Sequence, residues 1–208
     1  MRPRKTIRKT ILGFFLILIV VYGFLIAPWP NLDKAYLAGF RAVGRILFSE
    51  FGSNGRVTFT TEAQPMGKWF CAVNLTSLED RAAIRHGYDT RYDYLATVLT
   101  LALVSATPIP WSRKWKALLA AMFLIHIFLV GRLFWGILYG FTDDKLAVIP
   151  LSHFWKQAVF LGVLISPEST FVVPIFIWIL VSFRAEDWQR LGILTGTPTP
   201  EMPDAMAR

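Results

Sequence analysis

The sequence predicts a mainly α-helical polytopic membrane protein: a four-span helical bundle carrying a small α/β extracytoplasmic cap. Three observations lead there. Of the 208 residues 54% are hydrophobic and only 17% charged, with 17 Phe and 8 Trp, against roughly 45–50% apolar and about 25% charged in an average soluble chain. Long uncharged runs alternate with short basic segments. One mixed stretch, 30–92, interrupts that pattern with strand-like alternation. Length and hydropathy exclude a disordered chain, a collagen and a disulfide-stapled miniprotein. The formal charge of +8 would suit a nucleic-acid binder if it were clustered on one soluble surface, but its distribution assigns it elsewhere.

The chain begins with five basic residues in 1–9: Arg2, Arg4, Lys5, Arg8 and Lys9. The first span follows at 10–28, and its apolar run exceeds the roughly 7–15 residues of a signal peptide's hydrophobic region. It ends in Ala27-Pro-Trp-Pro30, with no small-x-small cleavage pattern, so it reads as a retained anchor with Tyr22 and Trp29 near the outer interface. The second span is 93–111, uncharged from Tyr94 onward and closed by Pro108-Ile-Pro110. The connection Ser112-Arg-Lys-Trp-Lys116 adds three basic residues before the third span, 117–139. An outer loop, 140–166, holds an interfacial or re-entrant helix. Ser166-Pro167-Glu168 reads as a helix start, with a Ser cap, Pro at the first helical position and an acid in the first turn, so the fourth span is placed at 167–183. A five-span alternative uses 147–165, against which Lys156 stands. The tail 184–208 is Pro-rich and expected to be partly disordered inside the cell. Both basic segments fall on one side of two intervening spans, and the positive-inside rule then gives N-in, C-in. The charge is an orientation signal, and no nucleic-acid partner is expected.

Within the cap, Asn31 is expected to cap a helix carrying Leu32, Tyr36, Phe40, Val43, Leu47 and Phe51 and stopping at Gly52. Arg56–Glu62 alternates as a strand. Lys68–Leu75 is its expected partner across Gln64-Pro-Met-Gly67. Ser77 and Asp80 then announce a second helix over Leu78–His86, stopped by Gly87. The expected order is helix, strand, strand, helix, too small to build a sufficient core alone and so resting on the outer surface of the bundle.

The intramembrane polar residues are His126, Arg132 and Glu168. Counted from Ala117 at 1.5 Å per residue, His126 lies near mid-bilayer and Arg132 in the outer third. Charged groups at depth cost about 2.5–3.5 kcal/mol each on insertion scales and face protein or water. Glu168 is the expected partner of Arg132, and the expected role of all three is structural, with His126 neutral and bonded to a neighbouring helix. A third reading is an oligomeric carrier or proton-coupled component using these same residues.

Cys71 is the sole cysteine, in phase with Trp69 and Val73 on the second strand, where a small buried hydrophobe is the expected role. As a nucleophile it would need a basic neighbour such as Arg132, Arg81 or His153. The order Cys71, Arg132, His153 resembles exosortase-type membrane transpeptidases, multi-pass proteins with a cysteine followed by basic residues near the outer bilayer face. The resemblance implies an outer-face cysteine-dependent enzyme as the alternative function. It rests on isolated residues, and Cys71 leads into polar Asn74–Asp80 where that family's cysteine opens a membrane helix. One cysteine and three histidines without helical pairing give no metal site, and no phosphate loop, dinucleotide fingerprint or serine elbow is present.

Three other features have ordinary readings. Asn74-Leu-Thr76 fits a glycosylation sequon. Lys68, Arg81, Arg85, His86 and Arg91, interleaved with Glu79, Asp80, Asp89 and Asp93, read as a solvated, salt-bridged face. Gly136 and Gly140 are read as either a helix stop or a packing face. With no convergent catalytic set, no cofactor is expected. The expected function is a structural or accessory subunit of a cell-envelope complex. Its expected partners are the lipid bilayer and a membrane protein or further copies of itself, in a bacterial inner membrane.

Overall fold

A computed structural model of the chain describes residues 3–61, 68–79, 82–143, 146 and 148–183, leaving aside the side chains of 3–8, 61 and 164–168. It is mostly helical, with one small antiparallel sheet. The order is α1 (Pro3–Ile26), α2 (Leu32–Phe48), β1 (Glu50–Phe51), β2 (Gly55–Thr61), β3 (Phe70–Ser77), β4 (Ala83–Asp89), α3 (Arg91–Ala106), α4 (Trp111–Phe141) and α5 (His153–Ser182). Two of the described helices, Lys9–Ile26 within α1 and Trp111–Phe141, are long and apolar enough to cross a membrane. The tail 184–208, the turn 62–67 and the cap residues Asp80 and Arg81 lie outside the described residues.

The sheet is a meander in the order β1-β2-β3-β4. Period-two alternation puts Val57 and Phe59 of β2 and Cys71, Val73 and Leu75 of β3 on one face, in the register Val57 with Leu75 and Phe59 with Val73. That face is covered by Leu37 and Phe48 of α2 and by Leu133, Ile137 and Phe141 at the far end of α4. At 31 residues, α4 is about 46 Å long. That exceeds the roughly 30 Å of a hydrocarbon core, and the surplus is built into the cap.

Two close approaches set this geometry. A Cβ on Gly44 would sit 2.7 Å from the Phe59 ring, and one on Gly140 would collide with Leu75. Gly140 is thus a packing position of α4 against the sheet, and it lies inside the helix.

A second core joins α3, α4 and α5 through Ala96, Val104, Ala121, Ile125, Leu129 and Ile177, while α1 packs on α3. Small side chains and threonines let α3 approach its neighbours closely. Thr97, Thr100 and Thr107 turn their hydroxyls back to the carbonyls of Asp93, Ala96 and Leu103 at 2.8–2.9 Å. At the opposite end from the sheet, Lys114 donates to the Ser105 carbonyl at 2.9 Å and Arg113 to that of Ser182 at 3.4 Å. Each cation meets the negative end of a neighbouring helix, so part of the 112–116 charge closes the bundle.

Several expectations need correction. The second cap helix is absent: Ala83–Asp89 forms β4, paired along its length with β3. The reason is a partner on the neighbouring strand. Gly87 provides room for the Phe70 ring across the pair, where a Cβ would clash, so it serves strand packing and does not stop a helix. A short strand, β1, closes the other edge, and α2 ends at Phe48, four residues before Gly52 with its φ of 68°. Asn31 is left-handed, with φ 62° and no side-chain capping bond; the helix begins on its carbonyl, which accepts from the Ala35 N–H.

The largest difference is α5, helical from His153 to Ser182 without a break at Ser166-Pro167. The local start signal is overridden because apolar helical segments flank it on both sides. A proline inside a helix costs about 3 kcal/mol, a penalty offset by the packing of α5 along α4 and α3. Lys156 accordingly sits in the first turn of α5.

Candidate functional site

The most convergent polar group in the described chain lies where the sheet meets the helices. Arg132 of α4 forms an ion pair with Asp93 of α3, Nη2 to Oδ1 at 3.2 Å, with 12% and 2% of the side chains exposed. Arg132 also donates through Nη1 to the Thr170 hydroxyl of α5, itself fully buried. The guanidinium carbon lies 5.2 Å from the ring centre of Tyr88 on β4, within cation–π range. The Tyr88 hydroxyl is buried against the pair without a well-formed hydrogen bond. Burial, reinforced by the Asp93 charge, holds this phenol well above its ordinary pKa. One arginine therefore joins α3, α4, α5 and the sheet.

Local sequence explains the placement. Thr90 precedes α3, and its hydroxyl donates to the Trp69 carbonyl at 2.8 Å, tying the start of α3 to β3. Asp93 then falls in the first turn, where the helix dipole favours an anion. Its sequence neighbours are mostly polar, and by sequence alone it belongs to a solvated face. It is the member of this polar group that sequence pattern alone does not single out. The usable signal is position: Asp93 opens α3, one of the apolar helices that pack against α4, where Arg132 lies. Glu168, the expected partner, has its side chain outside the described residues.

Beside the pair lies a cavity of about 750 Å³, lined by His86, Tyr88, Tyr92, Arg132, Tyr139 and Thr170 among others. Its size falls within the range of ligand sites. Four successive residues of β4, 86–89, form one wall. His153 and Lys156 line a separate depression with Asp143. Asp93 also faces a smaller groove between α2 and α4, which His126 lines. His126 is exposed and bonds its own helix, Nδ1 to the Met122 carbonyl at 2.7 Å, contrary to the expected bond to a neighbour.

Cys71 stands apart from this group. It is 0% exposed within the cap core, and its Sγ lies 3.6 Å from the Thr60 carbonyl oxygen. The charges acting on it come from Arg41 and Arg45, and burial outweighs them to push the thiol above its ordinary pKa. A nucleophilic cysteine needs the opposite shift. Folded protein in mild detergent at pH 8 is expected to react with maleimide roughly 100-fold or more slower than denatured protein, since labelling must await opening. Stability linked to this thiol is intact below the ordinary thiol pKa and declines as the pH rises toward the raised folded value. Labelling at the rate of a free peptide would return Cys71 to the list of reactive groups. Asn74 of the sequon lies in mid-strand and donates to the Thr60 hydroxyl at 3.1 Å.

Among the described residues no group of three or more His, Cys, Asp or Glu could hold a metal ion. Comparison with known protein families, with characterised proteins and with solved structures finds no match to this chain.

Proposed function

We propose that the chain is a four-span integral membrane protein, N-in and C-in, serving as a non-catalytic accessory subunit of a cell-envelope complex, with a bacterial inner membrane as its location. Supporting the spans, α1 and α4 pass the length and hydropathy test, and α3 and α5 pack with α4 into one bundle. The basic segments 2–9 and 113–116 then share the inner side. The cap, packed on the outer end of α4, faces away from them.

The observation that carries the accessory role is the use made of Arg132. Its charge is taken up by Asp93, one further donor by Thr170 and its face by Tyr88, so the group with most chemical potential serves to hold helices and cap together. The buried state of Cys71 weighs against the cysteine-dependent alternative.

The test has two parts. A reporter fused after Phe183 is expected to be active only in the cytoplasm, and a periplasmic signal overturns the C-in topology. Purification of the full chain in mild detergent is expected to bring down a stoichiometric membrane partner. A chain that elutes alone as a monomer removes the accessory reading.

A further inference from the structure

We propose that the pocket where α1 leaves the bundle holds the headgroup of an outer-leaflet phospholipid bearing a primary amine, its phosphate on Lys68 and Arg91 and its ammonium on Asp33. This rests on the membrane reading above and adds a ligand that the accessory role does not itself require.

The pocket, of about 370 Å³, is lined by Asp33 of α2, by Lys68 and Trp69 just before β3, and by Arg91 and Tyr94 of α3, with the segment 26–32 closing one side. Its size lies toward the lower end of the range for ligand sites. Its level follows from a contact between two helix ends. The Tyr94 hydroxyl, in the first turn of α3, donates to the Leu25 carbonyl in the last turn of α1. With the basic start of α1 inside, these two ends stand together at the outer boundary. Trp29 follows directly, 47% exposed, where interfacial aromatics sit. Arg91, three residues before Tyr94, then stands at the depth of lipid phosphates. Toward the bilayer, α1 leaves Val20 and Phe24 exposed by 61% and 60%, apolar surface for the acyl chains of the same lipid.

Depth alone would admit any lipid, and the charges choose among them. The Thr90 N–H and hydroxyl both donate to the Trp69 carbonyl, at 3.0 and 2.8 Å, and the Trp69 ring stacks on Tyr94 with centres 5.1 Å apart. Lys68 and Arg91 flank these ties in sequence, so the fold holds two cations beside one another. Like charges held together are unfavourable until an anion joins them. Among the described residues neither cation forms an ion pair, and Asp33 forms none either, although all three line the same pocket. A ligand that satisfies two cations and one acid carries an anion and a cation of its own. A phosphate accepts charge-assisted hydrogen bonds from Lys and Arg, and a primary ammonium next to it donates to the carboxylate. A choline head has the same charges but no N–H to donate. A glycerol head brings no cation to Asp33.

The test exposes the full chain, purified in mild detergent, to equal concentrations of dioleoyl phosphatidylethanolamine, phosphatidylglycerol and phosphatidylcholine, and counts retained lipid by native mass spectrometry. Phosphatidylethanolamine is expected to be held about fivefold more strongly than the other two, the weight of one partly exposed ion pair. Lys68→Gln and Arg91→Gln should each weaken retention of all three lipids about fivefold, since all three carry the phosphate. Asp33→Asn should remove the preference and leave the retention of phosphatidylglycerol and phosphatidylcholine unchanged. Lys116→Gln, at the opposite end of the bundle, should alter neither. Unchanged thermal unfolding in lipid-free detergent shows that the variants keep the fold. Equal retention of the three lipids, or retention indifferent to the pocket variants, would overturn the proposal. Free phosphoethanolamine is expected to displace no lipid. If it empties the site at the lipid's own concentration, the ligand is a soluble one and the lipid assignment falls. A chain that needs detergent but shows no preference leaves the membrane reading standing and this site wrong. A chain that stays monodisperse without detergent has lost the membrane reading itself.

Discussion

Asp93→Ala is expected to destabilise the protein by about 3–5 kcal/mol, the cost of removing one member of a buried ion pair and leaving the other uncompensated. Arg132 is 12% exposed, and its guanidinium cannot shed its proton. Its remaining ties, to Thr170 and the Tyr88 ring, do not neutralise it. Arg132→Ala should cost less, because the carboxyl left behind can take up a proton. The double alanine variant should cost less than the two singles summed, with a coupling of about 0.5–3 kcal/mol. Replacing both by apolar residues of similar volume, Asp93→Leu with Arg132→Met, should be near neutral or stabilising. Unfolding by SDS titration in mixed micelles measures all four. A single Asp93→Ala loss below about 1 kcal/mol would mean that the pair does not hold the helices together, and the structural assignment of Arg132 would fall with it.

Much of this architecture was legible in the sequence, and the parts that were not share a cause. The apolar runs located α1, α4 and most of α3, because a long uncharged helix announces itself by composition alone. The alternation of Val57, Phe59, Cys71, Val73 and Leu75 located β2, β3 and their inward face, including the burial of Cys71. What failed depended on a partner distant in sequence. Gly87 looks like a helix stop until the Phe70 ring of the neighbouring strand is placed over it. Pro167 looks like a helix start until α5 is seen to continue through it, packed on α4 and α3. Asp93 looks like one of several surface acids until α4 brings Arg132 to within 3.2 Å.

The same limit applies to the candidate site. Arg132 stood out at once, since an arginine in an apolar run needs an explanation. Sequence order favours neighbours, and so points to Glu168 as its partner. The described partner lies on the preceding helix, α3, whose small buried residues Ala96 and Thr100 pack it closely with its neighbours, with Asp93 facing Arg132 of α4.

The cap supplies the second large effect. Phe59→Ala is expected to cost about 3–5 kcal/mol, the transfer free energy of the ring plus the cavity it leaves. Phe59 is 1% exposed. Its ring lies against Gly44 of α2 and edge-on to Phe40, with centroids 6.0 Å apart, so it is a central contact between α2 and the sheet. Gly44 makes the claim sharper than a simple truncation would. In the wild-type background Gly44→Ala should destabilise by about 1–3 kcal/mol, as overpacking does, because its Cβ would sit 2.7 Å from a ring enclosed by core. In the Phe59→Ala background that obstacle is gone. The helix gain of about 0.5–1 kcal/mol for alanine over glycine then remains, and the sign of the same substitution should reverse. Denaturation of the four variants, followed by near-ultraviolet circular dichroism of the cap aromatics, gives the cycle. Additive effects, or a Gly44→Ala that is stabilising in both backgrounds, would mean that α2 does not rest on Phe59. The groove on the far side of α2, formed only while that helix is held in place, would then lose its wall.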